Sequence, residues 1–233
     1  MPLDTHLLLL PGSLCDAAVW EPQIAALGGR WAVSVPHLTG FDSILAMAQA
    51  ALEAAPERFA LAGFSMGGRV ALEMMRMAPE RIGRLALLGA SVHPVAEGEA
   101  GRRQELIDLA FAEGMEAVAK VWLPRIVHPA RRDDAPLMSL LTEMTCRFTA
   151  QDYADEVHAL LHRPDPRELL AGIRCPTLVL SGREDPLSTP ERNTDIARLI
   201  AGAELVILDD CGHFPQLEAA EATTAALERW LSV

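Results

Sequence analysis

The sequence predicts an α/β fold in which a mostly parallel six-stranded sheet is flanked by helices and carries an inserted helical cap. Short apolar runs alternate with longer segments of helical periodicity along most of the 233 residues. This alternation is typical of a parallel sheet with helices on both faces. It stops in the middle of the chain, where residues 91–170 contain only helical segments separated by proline and glycine.

Six short apolar runs are the candidate strands, at residues 6–10, 31–35, 58–62, 85–89, 177–181 and 204–208. Several are apolar at successive positions and not only at alternate ones. Strands that are buried on both faces of a parallel sheet have this pattern. Helical segments are predicted between these runs, near residues 43–54, 66–78, 190–201 and 217–231.

The long interval between the fourth and fifth runs contains no convincing strand. Its helical segments are predicted at residues 102–113, 115–122, 133–148 and 150–161. A single crossover helix needs far fewer residues than this interval provides. We therefore predict a core formed by residues 1–90 and 171–233, with residues 91–170 inserted as a helical cap, or lid.

The charge of the chain disfavours several classes of partner. It has 20 Lys+Arg against 32 Asp+Glu, a formal net charge of -12, whereas nucleic-acid binding needs a basic face. We expect no nucleic-acid partner and no binding to a membrane surface, and no stretch is long enough to span a bilayer. Four scattered cysteines without a CxxC pair indicate reduced thiols. No signal-peptide pattern precedes the first apolar run, so a cytoplasmic location is predicted.

The segment Gly63-Phe64-Ser65-Met66-Gly67 lies between a predicted strand and a predicted helix. This is the G-x-S-x-G pattern in the context of a nucleophile elbow. Side chains at the glycines would clash in so sharp a turn. The turn lifts the Ser65 hydroxyl above the sheet, at a helix N-terminus that favours developing negative charge. The alternative interpretation is a glycine-rich helix cap without catalytic function.

A serine of ordinary pKa needs a base, and the base must be held in one tautomer by an acid. In this topology the acid and then the histidine follow the serine, each just beyond the end of a strand. Asp185 follows the fifth predicted strand and His213 follows the sixth. Asp185 is preferred to Glu184 because it directly precedes the proline that turns the chain. Asp209 and Asp210 are weaker candidates because they lie too close to His213 in sequence.

These motifs resemble those of the α/β-hydrolase superfamily. GFSMGGRVALEMM resembles its elbow, GREDPLSTPE its acid loop, and CGHFPQLEAAEATTAALERWL its terminal histidine loop and last helix. The resemblance covers essentially the whole chain apart from the cap, and capped bacterial carboxylesterases and enol-lactonase-like enzymes are the nearest subgroups. It implies the α/β-hydrolase fold and a serine hydrolase that uses neither a cofactor nor a metal.

The resemblance also implies an oxyanion hole formed by two backbone amides. It assigns them to Ser13, after the Pro11-Gly12 pair, and to Met66, after the candidate nucleophile. Leu14 is the alternative donor if the loop is shifted by one residue. The superfamily usually has His-Gly where this chain has Pro11-Gly12. We expect the fixed φ angle of Pro11 to keep the amide geometry, with different hydrogen bonding beneath the loop.

Two further features are interpreted conservatively. Cys15 lies in the predicted oxyanion loop, but no histidine is placed to activate it as a competing nucleophile. His158 and His162 have the i, i+4 spacing of a helical metal pair. They lack the glutamate of the HExxH motif, so a solvated helix face is favoured over a metal site.

The predicted function is hydrolysis of a small to medium carboxylic ester through an acyl-enzyme, with Leu14, Trp122 and Phe214 as candidate pocket residues. A lactonase, thioesterase, C–C hydrolase or acyltransferase on the same triad is an alternative. A non-catalytic ligand-binding protein on the same scaffold is an alternative of another class. The presence of all three triad residues argues against a pure binder. The sequence does not indicate the oligomeric state.

Overall fold

A computed structural model describes residues 6–232. Six strands form one sheet in the order β2-β1-β3-β4-β5-β6. Their bounds are β1 (His6–Leu10), β2 (Ala32–Ser34), β3 (Phe59–Phe64), β4 (Ile82–Leu88), β5 (Thr177–Gly182) and β6 (Glu204–Leu208). All five strand pairings are parallel, so this sheet is entirely parallel where the sequence predicted a mostly parallel one.

The described part of the chain also contains eleven α-helices. They are α1 (Glu21–Leu27), α2 (Ile44–Ala54), α3 (Met66–Met77), α4 (Glu99–Glu113), α5 (Met115–Ile126), α6 (Ala135–Cys146), α7 (Ala150–Leu161), α8 (Arg167–Leu170), α9 (Pro190–Leu199), α10 (Pro215–Glu218) and α11 (Ala220–Ser232). The sequence did not predict α1 and α8, which are too short to show a helical period. The helix predicted at the C-terminal end is divided into α10 and α11.

The run of four leucines in β1 packs on both faces of the sheet. Leu8 and Leu10 belong to the hydrophobic cluster on the side of α2 and α3. Leu7 and Leu9 belong to the opposite cluster, together with Trp230 of α11. Successive side chains of a strand point to opposite faces, so an uninterrupted apolar run is required where both faces are covered.

Five helices, α4 to α8, lie between β4 and β5, and we refer to them as the inserted helices. A capping box fixes the start of α7: Asp152 N donates to Thr149 Oγ1 at 3.1 Å, and Thr149 N donates to Asp152 Oδ2 at 2.7 Å. The two ends of the insertion are joined by Arg163, which donates to both carboxylate oxygens of Glu99 at 2.8 Å. This bidentate ion pair connects the start of α4 to the residues after α7.

Within residues 6–232, no helix is long and apolar enough to cross a membrane. The cytoplasmic location and the absence of nucleic-acid and membrane-surface partners stay predictions from the sequence.

Leu61 provides a test of how strongly the sheet core stabilises the fold. Its side chain is 0% exposed in the central strand β3, whereas Leu45 on α2 is 47% exposed. We expect Leu61→Ala to lower the free energy of unfolding by about 3 kcal/mol, through lost burial and the cavity left behind. Leu45→Ala is the matched control and is expected to cost less than about 1 kcal/mol. Urea denaturation measures both, and equal losses would contradict the packing described here.

Candidate active site

The turn between β3 and α3 places Ser65 in an unusual backbone conformation. Its φ of 52° and ψ of -113° lie in a region that residues with a side chain rarely adopt. Ser65 N donates to Leu88 O at 2.9 Å, which fixes the turn to the end of β4. Strain of this kind persists only where the surrounding structure enforces it, and it is concentrated at functional sites.

Close backbone contacts explain why this turn requires glycine. A methyl group at Gly67 would lie 2.5 Å from the carbonyl oxygens of Leu10 and Pro11. One at Gly63 would overlap the carbonyl of Gly67, and one at Gly68 would lie 2.6 Å from the Ala90 methyl carbon. The turn is therefore packed directly against the ends of β1 and β4, which places Ser65 at the carboxyl edge of the sheet.

Ser65, His213 and Asp185 form a chain of two hydrogen bonds. Ser65 Oγ lies 3.0 Å from His213 Nε2, and His213 Nδ1 lies 2.8 Å from Asp185 Oδ2. His213 and Asp185 are buried, while Ser65 is partly exposed. Two of the three competing acids have other partners. Glu184 accepts a hydrogen bond from Cys211 N, and Asp209 pairs with Arg183 at the surface.

The loop after β5 holds the Asp185 carboxylate in a fixed orientation. Asp185 Oδ1 accepts hydrogen bonds from the backbone N–H groups of Leu187 at 2.8 Å and Ser188 at 2.9 Å, leaving Oδ2 for His213. Burial by itself would raise the pKa of Asp185. The electrostatic interaction and hydrogen bond with His213, together with these backbone hydrogen bonds, outweigh burial and lower the pKa of Asp185 below its usual value. The carboxylate is thus kept in its charged form beside the imidazole.

Glu218 supports the histidine loop, a role that the motifs did not reveal. Its Oε2 accepts hydrogen bonds from His128 N at 2.7 Å and Gly212 N at 3.1 Å, and its Oε1 accepts one from Phe214 N at 2.8 Å. The side chain is buried. The amides on both sides of His213 are therefore held by one carboxylate on α10, the helix that starts two residues later.

The loop after β1 places the predicted oxyanion donors next to the elbow. A methyl group at Gly12 would lie 3.2 Å from Ser65 Cβ. Within residues 6–232, the N–H groups of Ser13 and Met66 donate to no other protein group. Leu14 N, the alternative donor, already donates to Glu156 Oε2 at 2.9 Å. Ser13 and Met66 are therefore the two amides that remain available.

Glu156 on α7 contacts this loop and was not predicted from the sequence. Its Oε2 also accepts a hydrogen bond from Ser13 Oγ at 2.6 Å. Burial is the main reason why the pKa of Glu156 is raised to about 7, although its two hydrogen bonds act in the opposite direction. The sequence does contain a signal, because Glu156 falls in the apolar stripe of α7 between Tyr153, Val157 and Leu160. A carboxylate in such a stripe needs a partner from another element.

Two cavities meet at Ser65 and His213. The smaller, of about 60 Å³, is lined mainly by apolar side chains and includes the predicted pocket residues Leu14, Trp122 and Phe214. The larger, of about 420 Å³, extends between the sheet edge and the inserted helices. The acyl and alcohol groups of an ester bound at Ser65 could therefore occupy different environments.

The remaining candidates take no part in this arrangement. Cys15 lines the smaller cavity, but burial and the charges of Glu156 and Asp16 raise the pKa of its thiol well above the usual range. The thiol is therefore protonated and a poor nucleophile. The His158 and His162 rings lie 4.1 Å apart at the C-terminal end of α7, and residues 6–232 supply no third metal-binding side chain beside them.

Comparison with known proteins agrees with this architecture. A sequence profile of the alpha/beta hydrolase family matches residues 7–227. The pimeloyl-[acyl-carrier protein] methyl ester esterase of Vibrio cholerae is 27% identical over 241 residues, which cover 93% of this chain and 90% of that protein.

Two solved structures have the same fold. An esterase from Thermogutta terrifontis has a TM-score of 0.88 and 27% identity, covering 97% of this chain and 89% of that one. An enol-lactonase from Burkholderia xenovorans has a TM-score of 0.88 and 25% identity, covering 99% and 92%. The resemblance predicted from the sequence motifs is confirmed. The chain belongs to the alpha/beta hydrolase family and is similar to bacterial esterases and an enol-lactonase.

Proposed function

We propose that the protein is a serine hydrolase that cleaves a small to medium carboxylic ester through an acyl-enzyme. The observation that carries this proposal is the hydrogen-bonded chain from Ser65 through His213 to Asp185, at distances of 3.0 and 2.8 Å, beside a strained elbow. Each of the three lies beyond the end of a different strand. A fold-stabilising role does not require a serine, a histidine and an acid to be aligned in this order.

In the proposed reaction, Ser65 Oγ attacks the ester carbonyl while His213 Nε2 takes its proton. The protonated imidazole then gives that proton to the leaving alcohol, which leaves an acyl group on Ser65. Water attacks the acyl carbonyl with His213 again acting as base, and the acid is released. Asp185 keeps the proton of His213 on Nδ1, so that Nε2 faces Ser65 as the acceptor.

The N–H groups of Ser13 and Met66 are proposed to bind the oxyanion. Met66 is the first residue of α3, so its N–H has no partner within the helix. The N-terminal end of α3 also favours negative charge at this place. Fixed donors need not reorganise as charge develops, and each is worth about 3 kcal/mol in the transition state.

Glu218 and Glu156 are proposed as positioning residues. Glu218 holds the amides around His213, and Glu156 holds the Leu14 amide and the Ser13 hydroxyl. Neither carboxylate contacts Ser65 or its proton path. Each fixes a loop whose backbone or side chain performs the reaction.

We infer that the inserted helices form the cap over the site. They contribute Trp122 and Leu160 to both cavities at Ser65, and Glu156 reaches the oxyanion loop from α7. A cavity of about 420 Å³ suits a small molecule and not a polymer. The similarity to a methyl ester esterase and to an enol-lactonase supports an ester or lactone substrate, which the same chemistry would open.

Ser65→Ala tests the nucleophile. We expect hydrolysis of p-nitrophenyl acetate to fall by a factor on the order of 10⁴, because the variant has no group to form the acyl-enzyme. A fluorophosphonate probe should label the wild type at Ser65 and leave the variant unlabelled, with both proteins equally folded by circular dichroism. Absence of labelling in folded wild-type protein would favour the non-catalytic binding protein instead.

Glu218→Gln tests the support of the histidine loop. The variant replaces one carboxylate oxygen by an NH₂ group that faces backbone donors, so at least one hydrogen bond to the loop is lost. We expect kcat and the rate of fluorophosphonate labelling to fall about tenfold, with KM nearly unchanged. Glu221→Gln on the exposed start of α11 is the control. A loss of thermal stability without slower labelling would show that Glu218 is only structural.

Glu156→Gln tests the buried carboxyl through the pH dependence of stability. The folded protein holds the Glu156 proton up to about pH 7, whereas the unfolded chain releases it near 4.5. The stabilisation is complete below the unfolded value and is lost as the pH rises through the folded one. We therefore expect the unfolding free energy of wild type, relative to Glu156→Gln, to fall by about 3 kcal/mol between pH 4.5 and pH 8.

Urea denaturation across this range measures the difference, and a difference independent of pH would contradict the raised pKa. Activity separates positioning from bulk stability. Glu156→Gln keeps a carbonyl oxygen for Leu14 N and should retain most of kcat/KM, whereas Glu156→Ala leaves that amide unpaired. We expect the alanine variant to lose about tenfold in kcat/KM at a temperature where it is fully folded.

A further inference from the structure

The larger cavity at Ser65 is strongly basic, although the chain as a whole carries a net charge of -12. Six of the 20 Lys+Arg residues line this one cavity, with a single acidic residue, Glu99, among them. Two of the six lie on α3 and α9, and the other four lie in the segment between β4 and β5. They are Arg69, Arg192, Arg102, Arg103, Arg125 and Arg163.

Glu99 neutralises only part of this charge. It accepts both hydrogen bonds from Arg163 at 2.8 Å and one from Arg103 at 3.0 Å. The other four arginines have no carboxylate within ion-pair distance among residues 6–232: Arg69, Arg102, Arg125 and Arg192. Four arginines without an ion-pair partner among the described residues therefore line the same cavity.

Arg69 shows that the arginines of the larger cavity are not all solvated surface residues. It lies one helical turn after Ser65 on α3 and is only 7% exposed. Its Nη2 donates to His93 O at 2.7 Å. Burial and the neighbouring charge of Arg163 lower the pKa of Arg69 to about 9. The charges of Glu99 and Asp165 offset only part of this effect, and an anion in the cavity would supply the direct ion-pair partner that this buried guanidinium does not have among residues 6–232.

The two cavities that meet at Ser65 differ in the side chains that line them. The smaller is lined mostly by apolar groups such as Trp122, Leu123 and Phe214. The larger combines the arginines with a volume of about 420 Å³, which is sufficient for a chain of several carbon atoms that ends in a charged group. An ester bound across Ser65 would place a small apolar part on one side and its longer part among the arginines.

We propose that this arginine-lined cavity binds an anionic group of the substrate, so that the preferred ester carries a carboxylate or phosphate several bonds from the scissile carbonyl. The proposal rests on the proposed hydrolase function and names its substrate class. Guanidinium groups pair with both kinds of anion in a bidentate manner. The cavity also concentrates positive potential in an otherwise acidic protein, which attracts anionic substrates into the site.

Two pairs of matched esters test the proposal. Monomethyl adipate and dimethyl adipate share one carbon chain and differ in one negative charge on the acyl side. 4-Acetoxybutyrate and its methyl ester make the same comparison on the alcohol side. We expect kcat/KM to be at least tenfold higher for the anionic member of one of these pairs, and this preference to decrease in 0.5 M NaCl because salt screens exposed charges.

Matched double variants identify the arginines responsible. Arg102→Gln/Arg125→Gln removes two exposed cavity charges, and Arg30→Gln/Arg198→Gln removes two charges from exposed positions outside the cavity lining. The anionic-to-neutral ratio of kcat/KM should fall at least fivefold in the first variant and stay unchanged in the second. An equal fall in both would show a general effect of net charge and would overturn the proposal.

Protection against labelling supplies a readout that does not depend on the choice of ester. Adipate or inorganic phosphate should slow fluorophosphonate labelling of Ser65 in the wild type, but not in Arg102→Gln/Arg125→Gln, whereas 1,6-hexanediol should have little effect. Protection by adipate alone assigns the cavity to carboxylates, and protection by phosphate alone assigns it to phosphates.

Rapid labelling without protection, together with equal hydrolysis of neutral and charged esters, overturns the anion proposal and leaves the proposed hydrolase function intact. Absence of labelling in folded protein overturns the proposed function itself.

Discussion

The candidate active site depends on the contact between the β3–α3 turn and the ends of the neighbouring strands. Ser65 stays at a φ of 52° because its N–H is bound to Leu88 O on one side and Gly67 lies against Leu10 on the other. The backbone carbonyls at these strand ends leave no room for a side chain. The parallel sheet thus determines where the Ser65 hydroxyl lies, and the histidine and acid loops meet it from the ends of β6 and β5.

Buried carboxylates hold the three loops around Ser65 in the same physical manner. Asp185, Glu218 and Glu156 each accept at least one backbone N–H from a loop that has no regular secondary structure. Such loops cannot satisfy their own amides through a helix or a sheet ladder, so the carboxyl oxygens supply the acceptors that these amides need. Asp185 also contacts the imidazole, whereas the hydrogen bonds of Glu218 and Glu156 go to the loops around it.

The sequence predicted those features of the fold and of the candidate site that depend on local pattern and on the order of elements along the chain. The order Ser65, Asp185, His213 could be predicted because each follows a strand, and the carboxyl ends of parallel strands meet at one edge of a sheet. That every strand pair is parallel could not be predicted, because which strands pair, and in which direction, depends on contacts between segments that are distant in sequence. The loop of Ser13 and Leu14 could be located by its resemblance to the oxyanion loop of related enzymes. The hydrogen bond that supports it could not, because Glu156 lies more than 140 residues later in the chain.

The arginine-lined cavity is a second feature that could not be predicted from the sequence. In sequence these residues are spread from Arg69 to Arg192, and the overall composition is acidic, so charge counting points away from an anion site. Only the packing of the inserted helices over the sheet edge brings the guanidinium groups together. Local charge at a site can therefore be opposite in sign to the charge of the whole molecule.

The contact from Glu156 to the loop of Ser13 and Leu14 has a consequence for protein engineering. Substrate range in enzymes of this architecture could be altered by transplanting the inserted helices from one relative to another. In this chain such a chimera would exchange the helix that carries the carboxylate while keeping the loop that it holds. A productive transplant must therefore supply an acceptor for Leu14 N, or redesign that loop together with the helices.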